Sequence, residues 1–149
     1  AVLWAQDFAL DLDEVRRIAA WLPFRGVKGT TGTQATFLTL AGGDHAKVEE
    51  LDRRVTAAMD FRQSIAVSGQ TYTRKLDWTI HQALSAIAQS ASKFATDLRL
   101  LSHEGEIEEP SESKQIGSSA MAYKKNPMRC ERVCSLARYV IETANTSAH

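Results

Sequence analysis

The spacing of apolar residues along the chain predicts helices throughout. Residues 2–22 repeat apolar positions at intervals of three to five, the pattern of an amphipathic helix: Leu3, Phe8, Leu12, Val15, Ala19 and Leu22. A longer run alternates steps of four and three: Ile80, Leu84, Ile87, Ala91, Phe94, Leu98 and Leu101. Such heptad-like spacing is typical of a long helix packed against near-parallel neighbours. Strong period-two alternation is missing, so the predicted fold class is all-α, a bundle of long helices.

Two shorter interruptions of the helical pattern read as structural connections. Pro23 ends the first helix, and the following loop carries glycine at every third position: Gly26, Gly29 and Gly32. It has neither a preceding strand nor the Gly-Lys-Ser/Thr of a phosphate-binding loop, so it is predicted to be structural and to enter a helix near Thr33. Asp44 is the predicted N-cap of a surface helix, and the stretch 64–75 is a turn-like break before the long helix.

The longest interruption covers residues 102–126 and carries the candidate chemistry. Irregular connections of this length are usually lids, binding loops or disordered segments. Helix resumes at once, with Asn126 as the predicted N-cap and Pro127 as the first helical residue.

Charge is balanced over the whole chain and concentrated locally. Lysine plus arginine and aspartate plus glutamate both number 18, so net charge does not indicate a nucleic-acid partner. Residues 120–138, however, hold one acid, Glu131, among five cations: Lys124, Lys125, Arg129, Arg132 and Arg138. A helix N-terminus beside them would suit a carboxylate or a phosphate, although charge alone equally allows a solvated cationic face. Ser118 and Ser119 add hydroxyls, which by themselves favour a plain linker over a catalytic serine.

The remaining features exclude several classes of protein. Cys130 and Cys134 are too few for a disulfide framework and have no further ligands for zinc, so two reduced thiols in a cytosolic protein are expected. No apolar run approaches the roughly 20 residues that a membrane span needs. The chain starts and stops close to helical patterns, and we expect it to be a piece of a longer protein.

The segment GSSAMAYKKNPMRCERVCSLAR, residues 117–138, resembles the signature loop of the fumarase/aspartase superfamily, whose pattern is roughly G-S-S-x-M-P-x-K-x-N-P. Within that superfamily it is similar to the adenylosuccinate lyase family at Tyr123, Met128, Arg129, Glu131, Arg132 and CSLAR. Five other stretches look like the eukaryotic type: RGVKGTTGTQATF, DHAKVEELDRRVT, SGQTYTRK, TDLRLL and EIEEPSESKQIGSS. The resemblance covers nearly the entire chain.

The resemblance implies a β-elimination without metal or organic cofactor. Its substrates would be succinyl-AMP, giving AMP and fumarate, and the succinyl-aminoimidazole-carboxamide ribotide of purine biosynthesis. By motif position, Ser118 is the implied general base, and Lys124 would stabilise a dianion-like carbanion intermediate. Glu131 would support the histidine that protonates the departing nitrogen. The implied substrate-binding residues are Gln70, Ser119, Met121, Asn126, Arg129 and Arg132. For the two arginines, holding the loop helix or pairing with Glu131 across one turn is equally open.

Two departures from the family pattern follow. Ala122 replaces the loop proline, which should raise the entropic cost of ordering the loop by about 1 kcal/mol. The Thr-His motif of the catalytic histidine is absent, so all four histidines are expected at the surface or in packing: His45, His81, His103 and His149. Residues 1–149 are therefore interpreted as a central helical-bundle segment containing the catalytic loop, about 103–126. The histidine and the phosphate contacts are expected before Ala1 and after His149, and the isolated segment is expected to be inactive.

The resemblance also implies a cytoplasmic homotetramer with active sites shared between subunits, and neither a nucleic-acid nor a membrane partner. Lys28, Thr33 and Gln34 would then serve packing and oligomer contacts, and Arg74 and Lys75 a charged subunit contact. Two alternatives stay open. One is a sister lyase such as argininosuccinate lyase, which YKKNPMRCER disfavours. The other is a helical assembly module that has lost catalysis.

Overall fold

Helices make up the regular structure of the chain. The computed structural model describes residues 1–110, 119–121 and 123–149. Its helices are α1 (Val2–Trp21), α2 (Ala35–Leu40), α3 (His45–Ala58), α4 (Lys75–His103), α5 (Met128–Asn145) and a short 3-10 helix, Thr146–Ala148. Strands are absent from these residues, apart from an isolated parallel bridge between Phe24 and Ser64. The all-α prediction is confirmed for the described residues.

The chain divides into two compact units, each described by itself. The first comprises Ala1–Leu12 and His81–His149, and the second comprises Asp13–Ile80. Helices α1 and α4 contribute residues to both units. None of the helices that the structure describes is long and apolar enough to cross a bilayer.

The first unit is built around α4. The rings of Trp4 and Phe8 on α1 meet the Phe94 ring edge-on, with centroids 5.2 and 6.3 Å apart. The Trp4 indole N–H also donates to the Asp97 carboxylate at 2.7 Å. Ala95 on α4 is almost completely buried and clusters with two residues of α5, Cys130 and Cys134. The small side chain of Ala95 therefore lies in the contact between α4 and α5.

The second unit joins the glycine-rich loop to the segment that follows α3. The Phe24 N–H donates to the Gln63 carbonyl at 2.9 Å, and the Ile65 N–H donates back to the Phe24 carbonyl at 2.8 Å. The ring centroids of Phe24 and Phe61 lie 5.3 Å apart. Two local predictions are confirmed here: α2 starts close to Thr33, and the Asp44 carboxylate caps α3 by accepting from the Lys47 N–H at 3.2 Å.

The predicted start of α5 is wrong by one position. Pro127 occupies the N-cap and Met128 is the first helical residue. Asn126 contributes only its backbone carbonyl, which accepts from the Met128 N–H at 2.8 Å. Since proline has no side-chain acceptor, the first amides of α5 need a partner from elsewhere in the chain.

Candidate active site

The described part of the signature loop is open to solvent. Ser119, Met121 and Lys124 are exposed, and Asn126 is half-buried. Ser118, the implied base, and Ala122 lie outside the described residues. The Lys124 N–H donates to the Met121 carbonyl at 3.1 Å, which closes a turn at this point of the loop. Lys124 and Asn126 thus reach the surface on the short stretch that leads into α5.

The two adjacent lysines differ in their contacts. The Lys125 ammonium lies 3.0 Å from a Glu108 carboxylate oxygen. The Lys124 ammonium forms no ion pair with any carboxylate of the described residues. Lys124 is therefore the lysine of this pair that is available to an anionic ligand.

The first turns of α5 carry three further predicted residues, Arg129, Glu131 and Arg132, and all three are exposed. Pairing of Glu131 with an arginine across one turn was one interpretation of the sequence. In the described part of the chain Glu131 makes no ion pair with Arg132 or with any other residue. Its carboxylate is therefore accessible to a group from outside this segment.

A carboxylate of the chain itself occupies the N-terminus of α5. The Glu109 oxygens accept from the backbone N–H groups of Arg129 at 3.0 Å and Cys130 at 2.8 Å. Burial by itself would raise the pKa of the Glu109 carboxyl, but hydrogen bonds from the Cys130 thiol and from both backbone amides outweigh it and hold that pKa below its usual value. The N-terminus of α5 thus holds a carboxylate, and at Arg129 and Cys130 that carboxylate is internal to the chain.

The same contact affects the neighbouring thiol. Burial, and then the hydrogen bond and negative charge of Glu109, raise the pKa of Cys130 to about 11. Cys130 and Cys134 are both buried and free. The two thiols do not form a disulfide with each other.

Gln70 belongs to the second unit and is exposed on the loop before α4. The preceding backbone is held by the glycine-rich loop. The Arg25 guanidinium donates to the carbonyls of Gly29 at 2.9 Å and Gly69 at 2.7 Å. Gly32 approaches the Ser68 carbonyl so closely that a Cβ at position 32 would overlap it. The glycine-rich loop is thus structural, as predicted, and it supports the residues that lead to Gln70.

A buried ion pair in the second unit was missed by the sequence analysis. The Lys28 ammonium lies 2.8 Å from the Asp52 carboxylate, with the two side chains 7% and 9% exposed. Asp52 also accepts from the Ser64 hydroxyl at 2.7 Å and from the Val27 N–H. The pair borders a cavity of about 560 Å³ whose wall includes Gln34, Arg53, Thr56 and Arg62.

A signal for that burial was present in the sequence. Val48, Asp52 and Thr56 follow one another at steps of four, and all three are buried on one face of α3. The predicted surface helix α3 therefore also has a buried face, and Asp52 lies on it. Lys28 was expected to serve packing, and that part of the expectation is confirmed.

Comparison with known proteins decides the family. The chain matches the sequence profile of a protein family described as Lyase over residues 3–141. The chain belongs to this Lyase family.

Three relatives in the Lyase family illustrate the range of similarity. The chain is 56% identical to the adenylosuccinate lyase of Schizosaccharomyces pombe over 95% of its own length and 29% of the relative's. It is 56% identical to the adenylosuccinate lyase of Saccharomyces cerevisiae, with 94% and 29% covered. The adenylosuccinate lyase of Archaeoglobus fulgidus is 34% identical, with 93% and 30% covered. The chain thus spans just under a third of the length of these relatives.

The histidines of this Lyase family member lie where the sequence analysis expected them. His45, His103 and His149 are exposed. His81 is half-buried in a small apolar groove beside Leu84 and Tyr139, and its Nδ1 has no hydrogen-bond partner among the described residues. Within those same residues, no group of three or more histidine, cysteine, aspartate or glutamate side chains could hold a metal ion.

Proposed function

We propose that the protein containing this chain is an adenylosuccinate lyase that eliminates fumarate from succinyl-AMP and from the succinyl-aminoimidazole-carboxamide ribotide. The observation that carries the proposal is the 56% identity to the S. pombe adenylosuccinate lyase across 95% of this chain. The signature loop supports it, because the Lys124 ammonium forms no ion pair with the described residues and Asn126 presents an amide, six and eight residues after Ser118 in the sequence.

In this proposal each loop residue has one role. Ser118 removes the proton from the succinyl carbon next to a carboxylate. The electron pair left on that carbon is delocalised into the carboxylate, and the ammonium of Lys124 stabilises the added negative charge. The electron pair then forms the carbon–carbon double bond of fumarate as the C–N bond breaks. The departing nitrogen takes a proton from a histidine that Glu131 orients.

The remaining predicted residues bind the substrate in this proposal. Ser119, Met121 and Asn126 surround the reacting carboxylate, and Arg129 and Arg132 contact the substrate or hold the start of α5. Gln70 contributes a further polar contact to the substrate. The histidine acid and the phosphate contacts come from other parts of a cytoplasmic homotetramer, whose active sites are shared between subunits.

The two neighbouring lysines provide the sharpest test in the full-length protein. Lys124→Met should lower kcat for succinyl-AMP cleavage by about 100-fold or more, since it removes a charge that stabilises the intermediate. Lys125→Met is the matched control, because that lysine pairs with Glu108 at the surface, and it should leave kcat within about twofold. Ser118→Ala should abolish elimination and retain succinyl-AMP binding, measured by calorimetry.

The same assay separates the alternatives. Cleavage of argininosuccinate in place of succinyl-AMP would assign a sister lyase. Failure to cleave either substrate, with a folded oligomer, would assign a non-catalytic assembly module. Residues 1–149 alone should release no fumarate, and measurable turnover by this segment would contradict the proposal of a shared, incomplete site.

A further inference from the structure

The cap of α5 comes from a residue far away in the sequence. Glu109 lies 20 and 21 residues before the two amides that it accepts from, Arg129 and Cys130. These amides are the second and third of the helix, which an N-cap side chain normally satisfies. Pro127 occupies the N-cap and has no such side chain. Glu109 therefore replaces the local cap and, in doing so, ties the segment after α4 to the start of α5.

The neighbouring ion pair cannot replace this connection. Glu108 and Lys125 also join the two sides of the loop, at 3.0 Å, but their side chains are 66% and 68% exposed. Ion pairs that are this well solvated contribute little, because water and salt screen them. Glu109 is half-buried, and both of its oxygens accept charge-assisted hydrogen bonds from the backbone. The backbone is thus held at Glu109 and only weakly at Glu108.

We propose that Glu109 is a positioning residue for the elimination reaction. By holding the first turn of α5, it sets the position of Glu131 on that turn and of Lys124 and Asn126 immediately before it. This inference rests on the proposed function. It assigns to Glu109 a role in orienting the reacting groups, without contact with the substrate.

The neighbouring thiol offers a direct report of the cap. Glu109 is hydrogen-bonded to Cys130 and contributes to its high pKa. Loss of the carboxylate should therefore make Cys130 react faster with iodoacetamide, because a larger fraction of it becomes thiolate. Alkylation of the Cys130 peptide, followed by mass spectrometry, measures the cap independently of catalysis.

The test compares two adjacent carboxylates in the full-length protein. Glu109→Gln keeps the side-chain shape but loses the charge and one acceptor, and it should lower kcat for succinyl-AMP about tenfold, with KM changed less than threefold. Cys130 alkylation should become faster. Glu108→Gln is the matched control and should change neither quantity. Circular dichroism and the oligomeric state should stay as in the wild type for both variants.

The outcomes distinguish this inference from the proposed function. A wild-type protein without lyase activity would overturn both. An active wild type whose Glu109→Gln variant alkylates faster but keeps full kcat would overturn the positioning role alone. If Glu109→Gln does not fold, Glu109→Asp serves instead, because it keeps the charge but is too short to reach both amides. Full kcat in that variant would equally count against the role.

A second variant separates positioning from simple helix stability. Pro127→Asp, combined with Glu109→Gln, supplies a local cap to α5 without the connection to the segment after α4. If that connection positions the reacting groups, kcat should stay low relative to Pro127→Asp alone. Recovery of kcat to the level of that single variant would show that only the helix cap matters, and would refute the inference.

Discussion

Removing one partner of the buried ion pair in the second unit should strongly destabilise that unit. Asp52 accepts from the Lys28 ammonium at 2.8 Å, from the Ser64 hydroxyl and from the Val27 N–H, while both charged side chains are more than nine-tenths buried. Asp52→Asn leaves the shape nearly unchanged but strands a buried ammonium without a counter-charge. Breaking such a pair on one side costs about 3–5 kcal/mol. We expect the lower end, about 3 kcal/mol, because asparagine keeps an acceptor for Val27.

The assay is urea denaturation of the full-length protein followed by circular dichroism, with hydrogen exchange at the Val27 amide as the local probe. Lys28→Met combined with Asp52→Asn should lose less stability than the sum of the two single variants, since no buried charge is left unpaired. Glu50→Gln on the same helix is the control. The hydrogen bonds from Arg53 and Arg54 lower the pKa of Glu50 to about 2, yet the side chain is solvated, so its removal should leave the unfolding midpoint nearly unchanged.

Two results would refute this reasoning about the ion pair. A loss below about 1 kcal/mol for Asp52→Asn would mean that water solvates Lys28 in solution. Additive effects in the double variant would mean that the two side chains are not energetically coupled.

Three further predictions concern the pH response of Asp52, the glycine-rich loop and the Cys130 thiol. Burial alone would raise the pKa of Asp52, but hydrogen bonds from Lys28, Ser64 and Val27 hold it below its ordinary value. The unfolded state therefore binds more protons, and the stability should fall as the pH drops below about 4. Asp52→Asn should flatten this part of the pH profile of the unfolding midpoint, and an unchanged profile would contradict the assignment. In thermal unfolding, Gly32→Ala should cost at least about 1 kcal/mol more stability than Gly43→Ala. Both glycines have φ near +83°, but only a Cβ at position 32 would overlap the Ser68 carbonyl. Equal effects of the two substitutions would exclude the steric explanation. At neutral pH, the Cys130 thiol, with a pKa of about 11, should react with iodoacetamide far more slowly in the native protein than in the unfolded chain. If the native protein reacted as fast as free cysteine, the burial of the thiol would be contradicted.

Local patterns were enough to predict the helices of this chain. The apolar periodicities at 2–22 and 80–101 correspond to α1 and α4, because the side chains on one face of a helix share a single environment. Asp44 was predicted as a cap for a similar reason, since its acceptor and the Lys47 amide are three residues apart. The glycine-rich loop was likewise recognised as structural from the residues that it lacks.

The motif in the signature loop indicated the family, and the comparisons with known proteins confirmed it. A motif specifies residue types at fixed spacing, so it could name Ser118, Lys124, Asn126 and Glu131 as candidates without any coordinates. It could not show that Lys125 is paired with Glu108 while Lys124 forms no ion pair within the described part of the chain. That difference depends on how the chain after α4 returns to α5.

Tertiary structure alone decided the contacts between residues far apart in sequence. Asn126 was the better local candidate for the cap of α5, but the chain places Glu109 there from 20 residues away. Asp52 belongs to a helix that was predicted at the surface, but Lys28, 24 residues earlier in the sequence, meets it in the interior. Helix capping and charge burial depend on which acceptor or counter-charge lies nearby in the folded chain. Helical periodicity describes one helix at a time and contains no information about such neighbours.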